Sequence, residues 1–265
     1  MSAASRNLEI LELESLEIDP LMRLYTGDMD LIVLRGLIDQ TTLKSFRDAF
    51  WNHPPSWRRP PAPSYQIGVH HFGLPLETYL DRAKAIGPTL KSLGGDDNPV
   101  LLFQEALASE LRESGLGFRL AKHDGRDAAP YIVRSWANSG AYALLPHDDT
   151  AQLHQENQRG FEIQDISEEH LVATNICVSN PECAKFVVWD FIASDDVRRD
   201  LHILQTGYPY PEYFLEKLNK RQIEMSAGDV ILLRGQVLHA VESSNDRVVA
   251  SYFSGILEKE IVVWT

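Results

Sequence analysis

Two short strands are encoded in the stretch 227–241, Ala-Gly-Asp-Val-Ile-Leu-Leu-Arg-Gly-Gln-Val-Leu-His-Ala-Val. Gly228 and Asp229 form a turn signal before an apolar run, and Gly235 allows a second turn before His239. Pairs of short apolar strands joined by glycine turns are typical of antiparallel β structure. The stretch therefore predicts a β core in this part of the chain.

Strand-like patterns continue in both directions from this stretch and dominate from residue 131 onward. The strand candidates are residues 131–136, 141–145, 171–178, 186–189, 222–225, 230–233, 247–253 and 261–264. About eight short strands separated by Gly, Pro, Asn and Asp turns predict an antiparallel sandwich or barrel. Two stretches, 154–170 and 192–220, are long for hairpin loops and are predicted to be functional lids.

Helical patterns dominate before residue 128. A strand at 30–35 precedes predicted helices at 39–50, 76–93 and 100–116. The second helix is interrupted at Gly87-Pro88, and the third is ended by Gly115 or Gly117. The proline-rich segment 52–66 is predicted to be a loop. We therefore predict one domain over 1–265 of mainly β, α+β class, in which a strand and helical buttress (1–128) supports a β core (129–265).

The composition narrows the functional classes. A net charge of −13 repels phosphate backbones, so a nucleic-acid partner is not expected. No apolar run approaches the length of a membrane helix, and the acidic N-terminus does not resemble a secretory signal. With only two cysteines, Cys177 and Cys183, we expect a protein of the reducing cytoplasm. The mouth of a β barrel is a good place for a small-molecule site, so we expect a small-molecule substrate. Either a monomer or a homodimer is expected.

A candidate metal site begins at Leu145-Pro-His-Asp-Asp149. On a strand, residues i and i+2 point to the same side, so His147 and Asp149 would converge while Asp148 points away. An imidazole with a carboxylate suits Fe(II). His154-Gln155-Glu156 is a rival motif, but it lies in a polar stretch without a strand pattern. His239 has the alternative interpretation of a core histidine.

Arg247 opens the predicted strand 247–253, where its side chain shares a face with Val249 and Ser251. If that face is the barrel interior, the guanidinium needs an anion, and a carboxylate is the natural bidentate partner. The alternative is a surface salt bridge with Asp246 or Glu242.

Taken in order, His147-x-Asp149, a distant His239 and Arg247 eight residues later resemble the iron(II)/2-oxoglutarate-dependent dioxygenase superfamily. The resemblance covers roughly residues 131–254. It extends to the entry strand within 27–36 and to Asn180-Pro181 with the apolar strand at 186–190, although Cys183-Ala184-Lys185 stands where many relatives have glycines. The layout is similar to freestanding bacterial hydroxylases of N-substituted amino acids and to alkaloid halogenases.

The resemblance implies a double-stranded β-helix, which is a jelly-roll or cupin-like core, and a metal site for Fe(II) on His147, Asp149 and His239. It further implies that 2-oxoglutarate chelates the metal, with its far carboxylate on Arg247 and Ser251, and that O2 takes the last position. The products would be succinate, CO2 and a hydroxylated secondary metabolite or amino acid derivative. Halogenases of this type lack the carboxylate ligand, so Asp149 favours hydroxylation.

Candidate substrate-binding residues are Tyr65, His70 and His71, within the polar and aromatic stretch after the prolines, and Arg134 on the strand before the metal motif. The alternative for 65–71 is a capped loop before the next helix. Desaturation, epimerisation or cyclisation at the same site remain open. So do a metal cupin enzyme without 2-oxoglutarate, which would more often supply three histidines, and a β-sandwich binding module that binds no iron.

Overall fold

The computed structural model describes residues 7–54, 64–136 and 140–265, and the backbone of Ser56–Arg58. The strands are β1 Ile10–Leu13, β2 Leu31–Leu34, β3 Ser56–Arg58, β4 Ser64–Ile67, β5 Gly117–Leu120, β6 Lys122–His123, β7 Arg126–Asp127, β8 Ile132–Trp136, β9 Tyr142–His147, β10 Leu171–Ser179, β11 Phe186–Ile192, β12 Lys220–Ile223, β13 Val230–Arg234, β14 Val237–Glu242, β15 Val248–Leu257 and β16 Glu260–Trp264. The helices are α1 Ile18–Tyr25, α2 Gln40–Asn52, α3 Leu76–Ser92, α4 Pro99–Glu113, α5 Asp195–Asp200 and α6 Glu212–Leu215.

Two sheets build the core. The large sheet has the order β1-β2-β13-β10-β15-β8-β4-β3, and β16 extends it from β15 to β5. The small sheet has the order β12-β11-β14-β9. Apolar residues of both sheets, such as Ile231 and Val249 from the large one and Phe186 and Val237 from the small one, share one buried cluster. The predicted α+β class with a jelly-roll core is confirmed.

The large sheet is covered on its second face by helices. Buried residues of α1, α2 and α4, including Leu21, Phe46 and Phe103, pack with sheet residues such as Ile32 and Leu232. A sheet buried on both faces has nearly continuous apolar strands instead of alternating ones. This explains why β2 and β13 consist almost entirely of Leu, Ile and Val.

Two local predictions were wrong. The predicted loop 52–66 contains β3 and β4, because β4 gains hydrogen bonds by pairing with β8. Its residues 55 and 59–63 lie outside the described residues. The helix α3 is not interrupted, although Pro88 lies inside it, because buried Tyr79, Leu80 and Leu90 hold both sides of that position. The helix α4 ends at Glu113 with Ser114 as its C-cap, directly before Gly115, which is one of the two glycines predicted to end it.

Among the described residues, no helix combines the length and the apolar character needed to cross a bilayer.

Candidate metal centre and the cavities beside it

The three predicted metal ligands come together at one end of the small sheet. His147 is the last residue of β9 and pairs in register with His239 of β14. The Nε2 atoms of both histidines lie 3.7 Å from a carboxylate oxygen of Asp149, one on each oxygen. One ligand atom from each residue lies within 4.8 Å of the others.

The path of the chain through the site differs from the predicted strand alternation. Asp149 lies after the end of β9, with φ −97° and ψ 3°, where the backbone turns into a short 3-10 helix. Its amide donates to the carbonyl of Gly235 at 2.7 Å, and this bond brings its carboxylate beside the two imidazoles. As predicted, the side chain of Asp148 points elsewhere, to Arg198 and Tyr210.

Both imidazoles are oriented by the main chain. His147 Nδ1 donates to the carbonyl of Leu145 at 2.7 Å, and His239 Nδ1 donates to the carbonyl of Val237 at 2.9 Å. Each bond fixes the tautomer and leaves the Nε2 lone pair facing Asp149. His239 also stacks on Phe186, with ring centroids 5.4 Å apart.

The electrostatics of the site favour a bound cation. Burial lowers the pKa of His147 to about 4, and burial together with the neighbouring His147 holds the pKa of His239 well below its usual value. Burial, assisted by the charge of Asp148, raises the pKa of Asp149 to about 8. A carboxylate that is costly to ionise without a partner, beside two neutral imidazoles, matches what a divalent ion requires of its ligands.

The rival motif does not join this group. His154 lies in the polar stretch and pairs through Nε2 with Glu168 at 2.8 Å, with half of its side chain exposed. The hydrogen bond with Glu168 raises the pKa of His154, whereas burial lowers that of His147. Among the described residues, the histidine and carboxylate groups that are close enough together to hold a metal ion are His147, Asp149 and His239.

Arg247 lies inside the barrel, immediately before β15. It is 3% exposed, and its Nε and Nη1 atoms make no hydrogen bond with the described residues. Burial lowers the pKa of this guanidinium. The alternative salt bridge with Asp246 or Glu242 is not formed in the described part of the chain. A cavity connects Arg247 to His239, so a carboxylate placed there would satisfy the arginine and reach toward the metal ligands.

Arg134 and Ser251 form a hydrogen-bonded pair inside the barrel. Arg134 Nη2 donates to Ser251 Oγ at 3.1 Å, and the guanidinium lies 5.1 Å from the centre of the Trp136 ring. Both residues line the cavity that contains the three metal-ligand candidates. Arg134 also lines the cavity of Arg247, whereas Ser251 does not.

The remaining candidates for substrate binding do not all lie at the pocket. His70 lines the open pocket beside His147 and Asp149, near the ring of Phe253. His71 is fully buried and binds Gln158 at 2.8 Å, away from the pocket lining. Tyr65 is 43% exposed and packs against Trp51 on the outside of the sheet. The structure therefore brings His70 to the site and leaves Tyr65 and His71 out of its lining.

Several pocket residues were missed by the sequence analysis. Asn175 lines both inner cavities from the middle of β10, where it is a polar residue within an apolar run. That break in the pattern was a usable signal. The open pocket is also lined by residues that the sequence analysis did not name as binding candidates, namely Phe72, Leu144, Leu145, Gln152, Thr206, Tyr208 and Phe253.

No protein-family model matches the chain. It is similar to the L-isoleucine 3(1)-dioxygenase of Pantoea ananatis, with 28% identity over 208 residues that cover 76% of this chain and 70% of that protein. Among solved structures it resembles an N-substituted L-amino acid dioxygenase from Burkholderia ambifaria, with a TM-score of 0.57 and 17% identity over 94% of this chain and 91% of that one. The complex of that enzyme with alpha-KG gives a TM-score of 0.58 and 16% identity over 92% and 90% of the two chains. The chain is thus similar in sequence to one amino acid dioxygenase and in fold to another, and within its jelly-roll core it brings together His147, Asp149 and His239.

Proposed function

We propose that this enzyme hydroxylates an unactivated C–H bond of an amino acid or an amino acid derivative, with Fe(II) held by His147, Asp149 and His239. The observation that carries the proposal is the convergence of two Nε2 atoms and one carboxylate at the end of the small sheet. A set of two histidines and one carboxylate leaves coordination positions open for a keto acid and O2. Since Asp149 is present as the third ligand, hydroxylation is favoured over halogenation.

Arg247 is proposed to hold the far carboxylate of 2-oxoglutarate. Its support is the pair of buried guanidinium nitrogens without a hydrogen-bond partner among the described residues, in a cavity that opens toward His239. Ser251 lines the neighbouring part of the interior and accepts a hydrogen bond from Arg134. We therefore propose for Ser251 the narrower role of orienting Arg134.

The open pocket suits a substrate with a carboxylate and an aliphatic portion. Leu144, Leu145 and Phe253 provide apolar walls beside the proposed metal ligands, and Arg134 provides a cation. We propose that Arg134 binds the substrate carboxylate and that His70 contacts the substrate beside it. An apolar group placed against the walls would then lie next to the metal, which is where C–H oxidation requires it.

The charges of the pocket favour a substrate whose nitrogen is neutral. Of its two lining carboxylates, Asp149 faces the imidazoles, and Asp148 is held by Arg198 and Tyr210. The stretches that the structure does not describe, 1–6, 55 with 59–63, and 137–139, contain no Asp or Glu. A buried ammonium would therefore find no unengaged carboxylate among the described lining residues. We therefore propose that the substrate is an N-acylated amino acid in preference to a free amino acid.

When bound, iron and 2-oxoglutarate supply the oxidising chemistry, with succinate and CO2 as co-products. The chain contributes orientation and exclusion of water. The carbonyls of Leu145 and Val237 hold the imidazole protons at Nδ1, Arg247 neutralises a carboxylate in a buried site, and Phe186 packs against the ring of His239.

The test begins without oxygen. Fe(II) and 2-oxoglutarate are added to the metal-free protein, and the visible charge-transfer band of the keto-acid chelate is measured. We expect the band in the wild type and its loss in His239→Ala. Absence of the band in folded wild-type protein would overturn the proposal.

Substrate class is tested next by mass spectrometry of aerobic reactions. L-Isoleucine and N-acetyl-L-isoleucine are compared at equal concentration, with succinate release as the second readout. We expect an added oxygen atom in the acylated compound at the higher rate. Faster turnover of the free amino acid would reject the neutral-nitrogen preference and leave the hydroxylase assignment intact.

We also propose a cytoplasmic location. Its support is that both cysteines are free thiols, Cys177 buried and Cys183 exposed, as expected in a reducing compartment.

A further inference from the structure

We propose that Arg198, which lies in the predicted lid 192–220, positions the metal-binding loop by holding Asp148, and that the same contact fixes one wall of the substrate pocket. This inference rests on the proposed metal site. Arg198 has no direct contact with the metal ligands, so its role is positioning and not catalytic.

Asp148 is the anchor of the contact. It stands between two proposed ligands, His147 and Asp149, and its side chain is completely buried. Its Oδ2 atom accepts from Tyr210 Oη at 2.6 Å and from Arg198 Nε at 3.2 Å, and Oδ1 accepts from the amide of Thr150 at 3.1 Å. A carboxylate that is held by this many donors has little freedom to rotate, and neither has the backbone on either side of it.

Arg198 joins this carboxylate to two further segments. Its Nη1 atom donates to Asp195 at 2.9 Å and to Glu168 at 3.2 Å, while its own side chain is 2% exposed. Glu168 in turn binds His154. One buried cation therefore connects the metal loop, the 154–170 stretch and the helix α5. Removal of one partner from such a buried group leaves uncompensated charge, which is strongly unfavourable.

Main-chain hydrogen bonds link the Arg198–Asp148 contact to the substrate pocket. The amide of Asp148 donates to the carbonyl of Gly207, and the amide of Tyr210 donates to the carbonyl of Pro146, both at 3.0 Å. Thr206 and Tyr208 lie within this clamped segment and line the open pocket. The spacing of the metal ligands and the position of this wall therefore depend on the same buried carboxylate.

The experiment compares Arg198→Gln with Arg199→Gln. Arg199 is the adjacent residue of α5 and has a side chain that is 59% exposed. In the described part of the chain its ion pair is with Asp196 at 2.6 Å, so it is a matched control. Fe(II) affinity is measured by anaerobic titration in the presence of 2-oxoglutarate, together with the KM for 2-oxoglutarate in uncoupled succinate formation. Circular dichroism reports the fold of each variant.

We expect Arg198→Gln to weaken Fe(II) binding about 10- to 100-fold, which is the usual effect of losing a group that orients a ligand. The KM for 2-oxoglutarate should stay near the wild-type value, because Arg247 is untouched. Arg199→Gln should match the wild type in both. Tyr210→Phe removes one donor to Asp148 at almost constant volume and should weaken Fe(II) binding by a smaller factor. This variant tests the inference if Arg198→Gln does not fold.

Wild-type Fe(II) affinity in folded Arg198→Gln or in Tyr210→Phe would overturn the inference. This holds even if the melting temperature is lower, because the contacts of Asp148 would then stabilise the fold without positioning the metal ligands. Failure of the wild type to bind Fe(II) is a different outcome, which removes the metal assignment itself.

Discussion

Arg247 is a buried cation with two nitrogens that lack a partner among the described residues, so a bound carboxylate should interact with it strongly. Hydrogen bonds to charged groups contribute about 1.5 to 3 kcal/mol each. We therefore expect Arg247→Ala to raise the KM for 2-oxoglutarate by about 10- to 100-fold while Fe(II) affinity changes little. Steady-state succinate formation measures the first quantity, and anaerobic titration measures the second.

An unchanged KM in Arg247→Ala would assign the far carboxylate to another group, and Arg134 would be the next variant to examine. Arg199→Ala is the control for loss of one positive charge, since this residue is exposed and far along the chain from the cavity.

The pKa of Asp149 gives a prediction for the metal-free protein. A folded-state pKa of about 8 means that the folded protein keeps a proton that the unfolded chain has lost, so this contribution to stability falls as pH rises from about 4 to about 8. The lowered pKa of His147 and His239 gives the opposite slope, but only below about 6.5.

Between pH 6.5 and 8 the effect of Asp149 therefore remains. We expect the free energy of unfolding of the metal-free wild type to fall by about 2 kcal/mol more than that of Asp149→Asn over this interval, at 1.36 kcal/mol per pH unit. Urea denaturation at the two pH values measures the difference. Parallel pH curves for the two proteins would show that Asp149 ionises without cost in the folded state.

At the scale of single residues, sequence reasoning identified the groups that have a chemical signature. His147, Asp149, His239 and Arg247 were predicted because their types and spacing match one metal chemistry. Tyr65 lies exposed beside Trp51, and an aromatic residue near prolines has no sequence pattern that tells the inside of a sheet from the outside.

Gly207 shows how a pocket wall depends on a single backbone conformation. It has φ +69°, and a Cβ atom there would collide with the carbonyl oxygen of Asp148. We expect Gly207→Ala to cost about 1 to 3 kcal/mol of stability and to displace the segment that carries Thr206 and Tyr208. Thermal unfolding measures the first effect, and the turnover of N-acetyl-L-isoleucine measures the second.

Gly73→Ala is a suitable comparison, because Gly73 also has a positive φ of 77° but meets nothing within 4 Å of an added Cβ. Equal losses in both variants would attribute the effect to backbone strain alone and not to the close approach of Asp148.

Strands and helices could be predicted where the pattern of residues within the segment itself specifies the structure. The predictions failed where pairing with a segment distant in sequence is needed to form the strand. Most of the strands β8 to β16 follow their own apolar patterns and turn residues, but β12 is largely polar and begins two residues before the predicted strand 222–225. The strands β4 and β5 do not, because β4 is stabilised by pairing with β8 and β5 by pairing with β16. Such pairing energy belongs to two segments far apart in sequence, and no local pattern contains it.

At the scale of the whole molecule, the N-terminal segment 1–128 is part of the large sheet as well as its cover. Five of the ten strands, β1 to β5, come from this part of the chain, and β2 lies between β1 and β13. Leu21, Leu24 and Tyr25 of α1 are completely buried, and Tyr25 Oη shares a hydrogen bond with Ser254 of β15. We propose that residues 1–265 fold as one domain.

Deletion of residues 1–35 should therefore prevent folding. It removes β1, α1 and β2, exposes the edge of β13, and uncovers several side chains that each contribute about 1.5 to 3 kcal/mol by burial, against a total stability of about 5 to 15 kcal/mol. Deletion of residues 1–6 is the control. Circular dichroism and thermal unfolding are the measurements, and a cooperative transition in the 36–265 fragment would contradict the single-domain proposal.

The two carbonyls that orient the imidazoles, from Leu145 and Val237, have a consequence for how such an enzyme can diversify. Because both acceptors are main-chain atoms two residues before each histidine, no substitution of a side chain removes them. Mutation can change what surrounds the site, such as Asp148 or Phe186, without changing the tautomer of either histidine. Natural variation around the site would thus leave both Nε2 atoms available to a metal, whatever side chains line the pocket.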